Sequence, residues 1–109
     1  MKGVDEKVKR IAARVKEHLV EIYGEKIKDV MLYGSHVRGE ATPDSDVDIL
    51  VLVDESLNPS EVRKSLSDLL LDILLEEGEL VSVIVLPHSF FESHDYPFIL
   101  SVRRESIRV

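Results

Sequence analysis

The sequence predicts an α/β or α+β domain in which helices cover a small sheet, with elements in the order α-β-β-α-β-α. Three patterns carry that expectation. Apolar residues near the start recur at three- and four-residue steps, Asp46 to Val53 alternates, and Leu80 to Leu86 is almost continuously apolar. With 109 residues, 44% of them hydrophobic, and only 5 Gly and 4 Pro, the chain reads as a single domain over residues 1–109, without repeats or linkers.

Each element has its own signal. Val8, Ile11, Ala12, Val15, Leu19 and Ile22 share one helix face and Gly24 supplies a stop, so the first helix spans about Asp5 to Tyr23 with a charged, solvated side. Ile27 to Tyr33 is rich in Val, Ile, Leu and Tyr and runs into a turn at Gly34, as a strand does. In the second strand, Asp46 to Val53, one face carries Val47, Ile49, Val51 and Val53 and the other Asp46, Asp48, Leu50 and Leu52. Asn58, Pro59 and Glu61 mark a helix start, Val62, Leu66, Leu69, Leu70, Ile73 and Leu74 its buried face, and Gly78 its end. Leu80 to Leu86, with Ser82 as its one polar member, reads as a central strand covered on both faces. A helical turn around Ser89 to Glu92 follows, and Phe98, Ile99 and Val102 indicate a last short helix after Pro97.

Composition excludes several classes of function. The formal net charge is −7, with acid concentrated in the middle: residues 34–55 carry one basic and six acidic groups, residues 56–102 two and eight. That balance argues against a nucleic-acid scaffold, which binds phosphate through clustered Lys and Arg. Phe90, Phe91, Tyr96 and Phe98 have few cations between them and read as core or partner surface, not a nucleic-acid stacking platform. Arg103, Arg104 and Arg108 read as a solvated basic end. The absence of cysteine excludes disulfides, thiolate zinc sites and cysteine nucleophiles. No apolar run approaches the roughly 18 residues of a membrane span. The charged start, Met1-Lys2-Gly3-Val4-Asp5-Glu6, is unlike a secretory signal, so the expected compartment is the cytoplasm.

The unusual stretch is Leu32 to Val51. Alternation sets the carboxylates of Asp46 and Asp48 side by side, where like charges repel unless a cation joins them. Magnesium suits such a pair, because it takes oxygen ligands and commonly binds one or two carboxylates plus substrate phosphates. Upstream, Gly34 lets backbone N–H groups approach a phosphate and Ser35 adds a hydroxyl donor. Gly34 and Gly39 have the spacing of P-loop glycines, but Glu40-Ala41 stands where Lys-Ser or Lys-Thr is required, so that reading fails. Arg38 either pairs with Glu40 or Asp44 or meets a phosphate or a partner. Asp44 reads as a turn-former, and His36 as a structural or solvated histidine within reach of a nucleotide.

The string Gly-Ser-x-x-Arg-Gly-x-x-x-x-Asp-Ser-Asp-x-Asp at Gly34 to Asp48 resembles the signature of the DNA polymerase β-type nucleotidyltransferase superfamily, and of its smallest members, the minimal nucleotidyltransferases. The resemblance implies a polymerase-β-like fold with a small mixed sheet. It also implies that Gly34, Ser35 and Arg38 bind the phosphates of an NTP such as ATP, and that Asp46 and Asp48 are the catalytic, magnesium-binding acids. The reaction implied moves a nucleoside monophosphate to an acceptor hydroxyl on a partner, with release of pyrophosphate. Minimal nucleotidyltransferases are often paired with a HEPN-domain protein as antitoxin and toxin. Active relatives place a third carboxylate in the third strand, where this sequence has Ser82. A hydroxyl is a weaker metal ligand and base, so the alternative is a non-catalytic, nucleotide-binding antitoxin that acts by contact.

Overall fold

Asp5 starts the first helix by accepting the Lys7 N–H at 2.7 Å, in a computed structural model that describes residues 4–109. Helix α1 (Glu6–Tyr23) ends at Gly24, and a single 3-10 turn leads into β1 (Ile27–Tyr33). A one-turn helix, α2 (Ser35–Arg38), precedes β2 (Val47–Val53). Then come α3 (Pro59–Ser65), α4 (Ser67–Glu77), β3 (Val81–Pro87), α5 (His88–Ser93), α6 (Pro97–Glu105) and a two-residue strand, β4 (Ile107–Arg108). No helix among the described residues is long and apolar enough to cross a membrane.

The strands form one mixed sheet in the order β3-β2-β1-β4. β1 runs antiparallel to β2 and β4, while β3 runs parallel to β2. The alternation of β2 divides the molecule. Val47, Ile49, Val51 and Val53 enter the larger core with α1, α3, α4 and the odd-numbered residues of β3. Leu50 and Leu52 enter a smaller core with Met31, Phe91, Ile99 and Val102. The second face is therefore only partly covered, and Asp48 lies on it beyond the end of the smaller core.

Four expectations change. The helix foreseen from Asn58 to Gly78 is two helices, because the Ser65 hydroxyl donates to the Val62 carbonyl at 2.6 Å and the Leu66 N–H reaches back only to Arg63 at 3.2 Å. The break turns Leu66 wholly into the core and leaves Leu74, expected inside, exposed. β3 is an edge strand, not a central one, since a continuous apolar run reports cover on its faces and not neighbours on both sides. Ile84 is 37% exposed even so. Both β2 and β3 start one residue later than their patterns suggest, at Val47 and Val81. The basic end is not a free tail: Arg108 lies in β4 and pairs with Asp29 at 3.0 Å, and Arg103 bonds Asp95 at 2.8 Å.

The α3 start is held by the Asn58 side chain, which accepts from Ser60 N at 2.9 Å. Asn58→Ala is expected to lower unfolding free energy by about 1 kcal/mol in urea denaturation, and Asn58→Gly by a few tenths.

Candidate active site

Strand β1 delivers the chain to Gly34, whose φ of 83° and ψ of −156° only glycine adopts without strain. The Gly34 carbonyl accepts from Val37 and Arg38, closing the turn from which Ser35 opens α2. Glycine is required for a second reason. A Cβ at Gly34 would lie 2.3 Å from Oδ2 of Asp48 and 3.2 Å from its Cγ. The carboxylate of β2 thus rests directly on the turn that follows β1.

Strand register builds the rest. Tyr33 pairs with Asp48 across the hairpin, and Asp48 pairs with Ser82 across the parallel ladder, so the three side chains stand in a row on one face. Ser82 is accordingly the residue in β3 beside the acid. Asp46 lies just outside β2, two residues before Asp48, and both are half-buried. Before them, Thr42 and Ser45 bond each other through backbone and side chain, and Asp44 sits in that turn as its residue type suggests.

Electrostatics reflect the crowding. Burial, and then the negative charge of Asp46, hold the Asp48 carboxyl above the usual carboxylate range, against a smaller opposing pull from His36 and Arg38. Burial first and Asp48 second push the Tyr33 phenol up to about 12, so its O–H keeps its proton at neutral pH. Arg38 is exposed, with Nε on Glu40 at 2.8 Å and a terminal nitrogen 3.8 Å from Glu105 of α6. The ion-pair reading of Arg38 is thus the arrangement seen, with Glu105 in place of Asp44 as the second acid. Glu79 pairs with Lys7 at 3.0 Å and precedes β3, so it does not stand in for the missing acid. His36 presents a buried Nε2 without a hydrogen-bond partner.

No cluster of three or more His, Asp or Glu residues suited to a metal occurs among the described residues. The donor set is two carboxylates with a neighbouring hydroxyl, which suits a hard cation that keeps several of its own waters. A cation there would relieve the repulsion that disfavours the Asp48 charge. Tyr33 was not legible as part of this site, since nothing but its place before Gly34 and its partner across the hairpin marks it.

Fold and site together define an α/β domain whose Gly-Ser turn supports an Asp-x-Asp strand. The chain belongs to the nucleotidyltransferase domain family, whose sequence model matches residues 12–107. It is 44% identical over 50 residues to the protein adenylyltransferase MntA of Thermococcus cleftensis, a match covering 46% of this chain and 48% of that protein. It is 35% identical over 80 residues to the spectinomycin 9-adenylyltransferase of Staphylococcus aureus, covering 73% of this chain and 30% of that one. The chain thus spans half or less of the length of both relatives. The fold is also that of a chain in a crystal structure of a toxin-antitoxin with AMP-PNP, with a TM-score of 0.57, 18% identity, and coverage of 87% of this chain and 69% of that one.

Two outcomes follow from the turn and the acid. Gly34→Ala should cost about 1–3 kcal/mol in urea denaturation, from a positive φ and the clash together. In an Asp48→Ala background, where the clash is gone, the cost should be smaller. Because the folded Asp48 carboxyl titrates above its unfolded value, its charge opposes folding at neutral pH and this cost fades as pH falls toward about 4. Asp48→Asn should therefore raise Tm at pH 7 in metal-free buffer, and the difference from wild type should shrink in acid.

Proposed function

We propose that this domain transfers AMP from ATP to a hydroxyl on a partner protein, with Asp46 and Asp48 holding magnesium and Gly34, Ser35 and Arg38 meeting the triphosphate. The observation that carries the reading is the contact of the Asp48 carboxylate with Gly34, which puts an acid and the Gly-Ser turn in one place. Membership of the nucleotidyltransferase family supports it, and the adenylyltransferase names of two relatives favour AMP as the group moved. The toxin-antitoxin likeness favours a toxin as acceptor, and a HEPN-domain protein is the partner we propose. The setting proposed is the cytoplasm, where ATP and magnesium are both at hand.

In this reaction the acceptor oxygen bonds the α-phosphorus and gives up its proton to water, the bond from that phosphorus to the α,β-bridging oxygen breaks, and pyrophosphate leaves with the bridging oxygen. Magnesium, when bound, neutralises phosphate charge and stabilises the leaving pyrophosphate. The chain's own part is positioning. Gly34 keeps the backbone open to the phosphates, the Ser35 hydroxyl donates to a phosphate oxygen, and Arg38 leaves Glu40 to join them. Tyr33, fully protonated at neutral pH, offers a donor and takes no proton. Ser82, neutral and beside Asp48, is a poor base for the acceptor hydroxyl.

That last observation supports a second reading, in which the domain binds nucleotide without turnover and restrains its partner by contact. Incubation with magnesium, a HEPN-domain partner and ATP labelled at the α-phosphate separates the two. Transfer predicts a labelled partner, loss of label with chelator, Asp46→Asn or Asp48→Asn, and a gain approaching about 100-fold with Ser82→Asp. Equal absence of label with wild type and Asp48→Asn would leave the contact reading.

A further inference from the structure

A nucleotide has two unlike ends, and the residues described so far serve only one of them. Carboxylates, turn and Arg38 suit phosphate and cation, whereas a nucleobase needs a flat apolar surface next to them. Such a surface adjoins Asp48. Tyr33, its partner in register, lies half-buried with its ring centroid 5.3 Å from that of Phe98 at an interplanar angle of 83°. Phe98 stands in the first turn of α6, directly after Pro97, and is 36% exposed. On the other side Ile84, two residues past Ser82 and so on the same face of β3, is also exposed.

The remaining aromatic cluster has no such link to the acid: its Tyr96 is 57% exposed, but none of its rings pairs with Tyr33. Phe90 and His94 stack with centroids 4.0 Å apart, and Tyr96 lies 5.9 Å and 5.4 Å from them, so those rings are largely one another's neighbours. Phe98 belongs to none of these pairs. Its only aromatic neighbour among the described residues is Tyr33, the residue beside the acid.

We propose that Phe98 is the platform on which the nucleobase of the bound nucleotide stacks, with Tyr33 backing it and Ile84 closing the opposite rim. This rests on the nucleotide-binding reading above and adds to it the residue that recognises the base. A stacked base is lost with its aromatic partner while phosphate contacts persist, because the two ends of the ligand touch different side chains.

The test compares ATP with inorganic tripolyphosphate, each titrated calorimetrically with magnesium into the whole chain. Phe98→Ala should weaken ATP about 10-fold or more and change tripolyphosphate less than about twofold. Phe98→Trp should keep the affinity for ATP. Because truncation of Phe98 also loosens Tyr33, Phe98→Leu serves as the volume-conserving variant and should lose ATP as the alanine does. Parallel weakening of both ligands, unchanged ATP binding in Phe98→Ala, or equal ATP affinity in Phe98→Leu and Phe98→Trp would each overturn the assignment. Wild type that binds tripolyphosphate as tightly as ATP would overturn the base platform and leave the phosphate site standing. Wild type that binds neither would remove the nucleotide reading itself.

Discussion

The arrangement of the site depends on one contact, the Asp48 carboxylate lying against the bare Cα of Gly34. A charged group half-buried near another carboxylate is unfavourable on its own. It is held there by strand register on both sides, Tyr33 across the hairpin and Ser82 across the parallel ladder. The turn can approach because residue 34 has no side chain. Geometry and charge therefore conflict at this point of the fold, and carboxyls perturbed in this way cluster at functional sites.

Strand β2 serves stability and chemistry with alternate residues. Val47, Ile49, Val51 and Val53 are wholly buried and tie α1, α3 and α4 to the sheet. Asp48 opens the opposite face and Leu50 and Leu52 continue it into the smaller core. A shift of register by one residue would put the acid into the larger core and the valines outside, so the core that stabilises the fold also fixes where the carboxylate points. The position of Asp48 is thus enforced by about four apolar neighbours on its own strand.

Local patterns were legible in the sequence, and pairings distant along the chain were not. The period of α1, the alternation of β2 and the Gly34-Ser35 turn each lie within a few residues, and each forms as the spacing suggests. The helix break at Leu66 was hidden because leucines and a hydroxyl fit an unbroken helix equally well, until Ser65 bonds back to Val62. The edge position of β3 and the pairing of β4 with β1 depend on strand order, which composition does not encode. For the site, Asp46 and Asp48 were marked by their spacing. Ser82 was placed through family likeness and lies beside Asp48 by register. Tyr33 and Phe98 join through a contact between residues far apart in sequence, and Arg38 turned to Glu105 for the same reason.

That distance has a meaning for how the protein is made. The hairpin of β1 and β2 brings turn and acid together from a short stretch of chain. Phe98, Glu105 and the β4 pairing come from the far end, where Ser106 meets Met31 across 75 residues. On a ribosome that releases the chain from its N-terminus, the hairpin that carries the acid emerges before the helix that carries Phe98. The turn and its acid thus precede in time the last helix and the strand that close over the same sheet.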